Sequence, residues 1–295
     1  MTQVGVDMGG TRIKAGVVDG GQIVRSEAVD TNVGGTPAQV LDAVAKLVRS
    51  LEHELSHVGF AIPGEVDPSG ACWKLPNIPG FAGVNIQAEL EARLGCAVSV
   101  ENDATTAAHG EALFGHGRTY PSFMLVALGT GVGGGLVLNG QLRRGSHGFC
   151  GEVGHLQLDR SLAALHDSAG LPGTLEAYAG TRAVLEAFRA RGGVGDEVLH
   201  VAESARRGEA AGCAAFEMMG RALGEGVNSV QNLLDLDAIV FSGGISRSFD
   251  LLEPHIRAAM RERAYAEPLV SVPLLLSQLG DSAGLVGAAH LHRLA

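Results

Sequence analysis

Two glycine-rich turns, each placed between two strand-like runs, constrain the fold of this chain more than any other feature. The first lies within Val4–Gly16 (VGVDMGGTRIKAG) and the second within Val126–Leu138 (VALGTGVGGGLVL). A strand, a tight glycine turn and a second strand present backbone N–H groups at close range, which suits a phosphate. Two such turns indicate a nucleotide held between two related halves.

Strand-like runs alternate with helical periodicity along the rest of the chain, which predicts an α/β architecture. Thr36-Pro37 is typical of a helix start, and apolar residues from Leu41 to Leu55 follow it at helical spacing. The same reasoning predicts further strands at Val58–Ile62, Ala97–Val100, Phe123–Leu128, Ala238–Phe241 and Val272–Leu276, and helices at Asn85–Leu94, Asp103–Phe114, Ala211–Leu234 and Gly284–Leu294.

Charge and cysteine usage exclude several classes of protein. The net charge of −10 argues against non-specific nucleic-acid binding, which needs a basic face. No apolar run is long enough to span a bilayer, and the first residues already resemble a strand rather than a signal peptide. The four cysteines are far apart without CxxC spacing, so we expect free thiols in a reducing cytoplasm.

Two short polar segments are candidates for chemistry. Asp7 ends the first strand ahead of Gly9, Gly10 and Thr11, where its carboxylate would hold magnesium through water or simply stabilise its own turn. Asn102-Asp103 lies where a strand meets a helix, so Asp103 is either a base for a substrate hydroxyl or an ordinary helix cap. Spacing alone leaves both alternatives open.

Two further segments gain meaning only from their neighbours. Glu152 and His155 are close enough in sequence to face one ligand, although a solvated glutamate and a hydrogen-bonded histidine would have the same spacing. Glu176, within Leu175–Tyr178, would by itself be only the start of a helix.

Taken in order, these motifs resemble the ROK family of sugar kinases and sugar-responsive repressors over essentially the whole chain. The two glycine turns look like the phosphate motifs of the family, and Ser242–Ile245 looks like its adenosine turn. Glu101–Ala104 matches the catalytic Asn-Asp, and Glu152–His155 matches the sugar-binding Glu-x-Gly-His. The resemblance implies an actin-like (ribonuclease H-like) ATPase fold with two lobes and a central cleft. We expect residues 1–114 with 281–295 to form the small lobe and residues 115–280 the large one.

The resemblance also implies roles for individual residues. Asp103 would be the general base. The sugar hydroxyls would be bound by Asn77, Asn102, Asp103, Glu152, His155 and Glu176. ATP would be bound by Asp7, Gly9, Gly10, Thr11, Lys14, Gly129, Thr130, Gly131, Gly243 and Gly244, with Asp7 also serving magnesium. A site of carboxylates, amides and imidazole is chemically suited to a ligand that offers only hydroxyls.

One segment departs from the family pattern. Many members carry three cysteines after the Gly-His and bind a structural zinc with them and the histidine. Here the three cysteine positions fall on Asp167, Ala169 and Thr174. Because alanine offers no ligand and a structural zinc site needs about four, we predict no zinc.

The resemblance therefore implies a cytoplasmic ATP-dependent hexose kinase that phosphorylates glucose at the 6-hydroxyl, without nucleic-acid or membrane partners. A homodimer or homotetramer is expected from the family. Kinases for mannose, N-acetylated or amino sugars, and a polyphosphate-using glucokinase, remain as alternatives. The basic pairs Arg143-Arg144 and Arg206-Arg207 are interpreted as solvated surface rather than a polyphosphate track. A sugar-sensing repressor is less favoured, because the first strand begins at Gln3 and leaves no room for a preceding DNA-binding segment.

Overall fold

A computed structural model describes residues 3–31, 33–76 and 78–294. The strands are β1 Gln3–Met8, β2 Arg12–Asp19, β3 Gln22–Asp30, β4 His57–Ile62, β5 Glu65–Val66, β6 Cys72–Lys74, β7 Ala97–Asn102, β8 Phe123–Leu128, β9 Val132–Leu138, β10 Gln141–Arg143, β11 Ala238–Ser242 and β12 Leu274–Leu276. The helices are α1 Pro37–Leu51, α2 Ile86–Leu94, α3 Asp103–Phe114, α4 Leu175–Ala179, α5 Thr181–Arg189, α6 Val198–Arg206, α7 Ala210–Leu234, α8 Phe249–Arg263, α9 Glu267–Val270 and α10 Ala283–Ala289.

The two larger sheets repeat one strand pattern. The first has the order β3-β2-β1-β4-β7, in which β1, β2 and β3 are antiparallel and β1, β4 and β7 are parallel. The second has the order β10-β9-β8-β11-β12, with β9 and β10 antiparallel and β8, β11 and β12 parallel. The first glycine turn found in the sequence connects β1 to β2, and the second connects β8 to β9.

The chain divides into two compact units. Unit 1 comprises residues 1–122, 135–151 and 277–295, and unit 2 comprises residues 123–134 and 152–276. Unit 1 contains a large apolar core in which α1 and α2 pack against the first sheet, with Val6, Phe60 and Val44 fully buried. In unit 2, α7 packs closely on α8, and a Cβ at Gly224 would lie 2.5 Å from the carbonyl oxygen of Ile256.

Helix α10 packs directly on the first sheet of unit 1. Gly5 in β1 and Gly59 in β4 are cross-strand partners, and they face this helix. A Cβ at Gly59 would overlap the carbonyl oxygen of Ala288, and one at Gly5 would overlap that of Leu285. These two glycines therefore permit a backbone-to-backbone approach that brings the start of α10 close to the first glycine turn.

Helices long and apolar enough to cross a bilayer are absent from the described residues.

Buried histidines give unit 1 a pH-dependent stability. His109 is 4% exposed in α3, and its Nε2 lies 3.1 Å from the carbonyl oxygen of His290. Burial lowers the pKa of His109 from 6.5 to about 4. Because the unfolded chain takes up this proton at higher pH, the stabilising contribution is complete above pH 6.5 and is lost as pH falls towards 4.

We expect the His109→Gln variant to lose less stability than the wild type between pH 7.5 and pH 5. Glutamine can still donate to the carbonyl of His290 but does not titrate, so the difference should be about 2 kcal/mol. Urea unfolding of both proteins at the two pH values measures it. Parallel losses of stability would show that His109 does not cause the pH dependence.

Candidate active site

The first glycine turn in unit 1 is closed by its own backbone. The N–H of Gly9 donates to the carbonyl of Arg12 at 2.8 Å, and the buried Thr31 hydroxyl donates to the carbonyl of Gly9 at 2.8 Å. Gly10 and Thr11 form the tip of this turn, and Thr11 is exposed. Hydrogen bonds at Gly9 therefore fix the base of the turn, while Thr11 at its tip is exposed.

Asp7 lies beneath this turn with its carboxylate poorly solvated. Burial raises the pKa of Asp7, and the positive charge of Lys14, its cross-strand partner, opposes this rise. Gly284 borders the carboxylate, since a Cβ there would lie 3.1 Å from Oδ2. Within the described chain, no donor hydrogen-bonds to this carboxylate. A half-buried carboxylate without such donors fits a divalent cation or its water as a ligand.

Asn102 and Asp103 have different roles in the local structure. Asn102 is the N-cap of α3, because its Oδ1 accepts the N–H of Thr105 at 3.0 Å while its amide donates to the carbonyl of Gly64 at 3.3 Å. Asp103 is the first helical residue and is half-buried, with Oδ1 accepting the N–H of Ala104 at 2.7 Å. Asn102, and not Asp103, is therefore the residue that caps the helix. The carboxylate of Asp103 lies at the positive end of the helix.

The parallel strands place Asp7 and Asp103 at one edge of the first sheet. In the strand register Asp7 pairs with Ala61 of β4, and Ala61 pairs with Glu101 of β7. The carboxyl ends of β1, β4 and β7 therefore meet at the same edge, which is where open α/β sheets bind ligands.

A buried ion pair that the sequence did not reveal supports the end of β7. Glu101 is 2% exposed, and its Oε2 lies 2.5 Å from Nε of Arg144, while Oε1 accepts the N–H of Asn102. Burial raises the pKa of Glu101, and both partners oppose that rise. The interpretation of Arg144 as solvated surface is therefore wrong, because its guanidinium neutralises a buried carboxylate 43 residues away.

The second glycine turn, in unit 2, has open space beside it. The N–H of Gly129 donates to the carbonyl of Gly131, and the carbonyl of Gly129 accepts the hydroxyl of Thr181 at 2.8 Å. A Cβ at Gly129 or Gly244 would meet no heavy atom within 4 Å, so neither glycine is required by packing. Thr130 at the tip is exposed. The open space beside Gly129 and Gly244 is what a bound phosphate needs.

Gly243 differs from its neighbour Gly244. Its φ of +85° is in the left-handed region, and a Cβ there would overlap the carbonyl oxygen of Leu128. This glycine is therefore required by the turn itself. Since β8 and β11 are parallel, Gly243 leaves the sheet at the same edge as Gly129.

We expect the Gly129→Ala variant to raise the KM for ATP about tenfold while the melting temperature stays unchanged. The added methyl meets open space in the protein but would crowd a bound phosphate, and a tenfold loss corresponds to about 1.4 kcal/mol. Steady-state kinetics and a thermal melt test this. Gly34→Ala is the matched control, because Gly34 has equally open surroundings outside any motif. Equal KM values for both variants would remove Gly129 from the nucleotide site.

Glu152 and His155 flank a 3₁₀ turn at Val153–His155. Nε2 of His155 lies 3.9 Å from Oε2 of Glu152, and the histidine side chain is 43% exposed. Gly154 lies against Val132, and a Cβ there would overlap the carbonyl oxygen of Val132. The structure therefore brings Glu152 and His155 together and attaches them to the beginning of β9.

Glu176 in α4 is connected to the same place. Its Oε2 accepts the N–H of Val132 at 3.1 Å, and its Oε1 accepts the hydroxyl of Ser168 at 2.5 Å and the N–H of Ser168 at 3.1 Å. A Cβ at Gly131 would overlap Oε2. Within unit 2, the backbone of Val132 therefore contacts both Gly154 and Glu176, directly after the second glycine turn. Asn77, also predicted to bind sugar, lies outside the described residues.

Three comparisons place the chain among known proteins. Residues 3–294 match the sequence profile of the ROK family. A glucokinase of Streptomyces coelicolor is 33% identical, with 98% of this chain and 97% of that protein aligned. An N-acetyl-D-glucosamine kinase of Pasteurella multocida is 31% identical, over 97% and 98% of the two chains.

The structural comparison agrees with the sequence. The crystal structure of a ROK family glucokinase from Streptomyces griseus in complex with glucose and AMPPNP superimposes with a TM-score of 0.85 and 33% identity, covering 100% of both chains. The prediction of an actin-like ATPase fold is confirmed by this likeness and by the repeated sheet pattern. This chain belongs to the ROK family.

Proposed function

We propose that the protein is an ATP-dependent hexose kinase that phosphorylates glucose at its 6-hydroxyl. The observation that carries the proposal is the position of Asp103, a half-buried carboxylate at the sheet edge that also holds Asp7. The full-length likeness to glucokinases supports the same substrate class.

The chemistry assigned to these residues balances in one step. The sugar hydroxyl oxygen attacks the γ-phosphorus of ATP, the bond from that phosphorus to the β–γ bridging oxygen breaks, and ADP leaves. Asp103 accepts the proton of the hydroxyl. Phosphoryl transfer depends mainly on positioning and charge neutralisation, which the two glycine turns and Lys14 would supply.

The remaining site residues would hold the two substrates. Glu152, His155 and Glu176, with Asn77 and Asn102, would hydrogen-bond the sugar hydroxyls. Asp7 fits a magnesium ion, which would neutralise phosphate charge when bound.

Three of the four arginines in the two basic pairs are bonded to carboxylates, which favours ATP over polyphosphate as donor. Arg144 is paired with Glu101, Arg206 with Asp250 and Arg207 with Glu209. A polyanion would have to displace these carboxylates. We further propose a cytoplasmic homo-oligomer, dimer or tetramer, in which the four unpaired cysteines stay reduced.

The test is ADP release from magnesium-ATP with a panel of glucose, mannose, N-acetylglucosamine, N-acetylmannosamine, glucosamine and fructose. We expect the highest kcat/KM with glucose. A preference for an N-acetylated sugar would keep the kinase but overturn the substrate. Repeating the panel with polyphosphate in place of ATP and measuring sugar phosphate tests the donor: activity only with polyphosphate would overturn ATP. Light scattering of the same sample would give the oligomeric state.

A further inference from the structure

The buried carboxylate of Asp167, beside His155, accepts hydrogen bonds from its own loop in unit 2. Asp167 is 3% exposed. Its Oδ1 accepts the N–H groups of Ala169 at 2.9 Å and Leu171 at 2.8 Å, and its Oδ2 accepts the hydroxyl of Thr174 at 3.0 Å. Burial raises the pKa of Asp167, but these hydrogen bonds outweigh it, and the pKa lies below its ordinary value. The carboxylate is therefore ionised and rigidly held.

His155 presents Nδ1 to this carboxylate. Nδ1 lies 3.3 Å from Oδ2 of Asp167, on the opposite side of the ring from Glu152. A nitrogen lone pair at that distance from an anionic oxygen would be repelled, so Nδ1 carries the proton in the neutral ring. The other nitrogen, Nε2, is then an acceptor, and it lies 3.9 Å from Oε2 of Glu152.

The loop uses the three positions where many family members have zinc-binding cysteines. Asp167, Ala169 and Thr174 stand there, and two of them donate hydrogen bonds to the third. The oxygens of Asp167 are already engaged, alanine has no ligand atom, and no group of three or more potential ligands is placed for a metal among the described residues. These residues do not fit zinc.

We propose that Asp167 is a positioning residue that replaces a metal ion in orienting His155. It holds the imidazole as the Nδ1–H tautomer, so that Nε2 accepts a hydrogen bond from a hydroxyl of the substrate. The role of Nε2 rests on the proposed function, whereas the tautomer follows from the carboxylate alone.

The Asp167→Asn variant tests the pair. The amide keeps an oxygen for the backbone N–H groups, but its NH₂ group takes the position that faces Nδ1 and favours the Nε2–H tautomer. We expect the KM for glucose to rise about tenfold, because a protonated Nε2 can no longer accept the sugar hydroxyl and the loss of one hydrogen bond costs roughly this factor. The KM for ATP should stay within twofold.

Thr174→Val is the matched control. It removes another hydrogen bond to the same oxygen of Asp167 and the N-cap bond to Ala177, so it loosens the loop without changing the acceptor that faces His155. Its KM for glucose should stay within about twofold of the wild type. An equal rise in both variants would overturn the proposal, because loosening of the loop would then explain the effect.

Nitrogen-15 NMR of the histidine rings gives a readout that does not depend on activity. At pH 8 the resonances missing from His155→Gln identify His155, and we expect the Nδ1–H pattern in the wild type and the Nε2–H pattern in Asp167→Asn. An Nε2–H wild type would overturn the positioning role while leaving the kinase proposal intact. If the tautomers are as expected but the wild type does not phosphorylate glucose, the proposed function is overturned and the tautomer assignment stands.

Metal analysis completes the test. We expect less than about 0.1 zinc per chain and unchanged kinetics after dialysis against a chelator. One tightly bound zinc per chain that is lost in Asp167→Asn would overturn the proposal.

Discussion

Replacing Asp103 with asparagine should lower kcat about a thousandfold while glucose binding stays within a few-fold of the wild type. A general base contributes about 10²–10⁴-fold, and the amide cannot accept the hydroxyl proton. The substitution preserves the local structure, because the asparagine oxygen can still accept the N–H of Ala104 that now bonds Oδ1. Capping of α3 is unaffected, since Asn102 supplies it.

The measurement is ADP release at saturating glucose and ATP, together with calorimetric titration of glucose. Asp42→Asn is the matched control, because it makes the same chemical change on the exposed face of α1. It should retain wild-type kcat. If Asp103→Asn kept kcat within tenfold, another group would have to be the base.

Gly154→Ala should produce the largest structural effect at the sugar-binding side of unit 2. The new methyl would overlap the carbonyl oxygen of Val132, which is backbone and cannot rotate away. The 3₁₀ turn must then move, taking Glu152 and His155 with it. Overpacking of this kind costs about 1–3 kcal/mol or more.

We expect the variant to raise the KM for glucose at least about tenfold, as a loss of roughly 1.4 kcal/mol or more, and to lower the melting temperature. Gly129→Ala is the useful contrast, because it adds the same methyl in open space on the neighbouring turn. A melting temperature and a KM for glucose that both match the wild type would refute the proposed close approach of Gly154 and Val132.

Most of the regular structure was predictable where burial imposes a pattern. Apolar spacing predicted α1, although that helix ends at Leu51 and does not reach Leu55. It also predicted the buried strands β4, β8 and β11, while the C-terminal helix ends at Ala289 before a 3₁₀ turn. The predicted ends of these two helices were wrong because the apolar spacing in the sequence continues beyond the last helical hydrogen bond.

Strand β3 could not be predicted in this way. Gln22–Asp30 is mostly exposed at the edge of the first sheet and has no alternation of buried and polar residues. Its place is determined by pairing with β2, and β3 begins directly after the turn at Gly20-Gly21 that follows β2. Local patterns do not report such tertiary pairing.

The same limit applies to the candidate site. Motif order indicated the residues that would contact ligands, but it did not indicate those that support them. Glu101 meets Arg144, and His155 meets Asp167, through contacts between segments that sequence spacing does not relate. The one available signal was a charged residue, Glu101, which directly follows the apolar Val100 near the end of β7.

The loop around Asp167 also determines how this region responds to oxidants. A zinc–thiolate site can be disassembled when peroxide oxidises its sulfurs. Here the loop is held by a carboxylate, a hydroxyl and backbone amides, none of which peroxide attacks at ordinary concentrations. None of the four cysteines lies in this loop, so the hydrogen bonds that orient His155 should survive conditions that would inactivate a thiolate-bound relative.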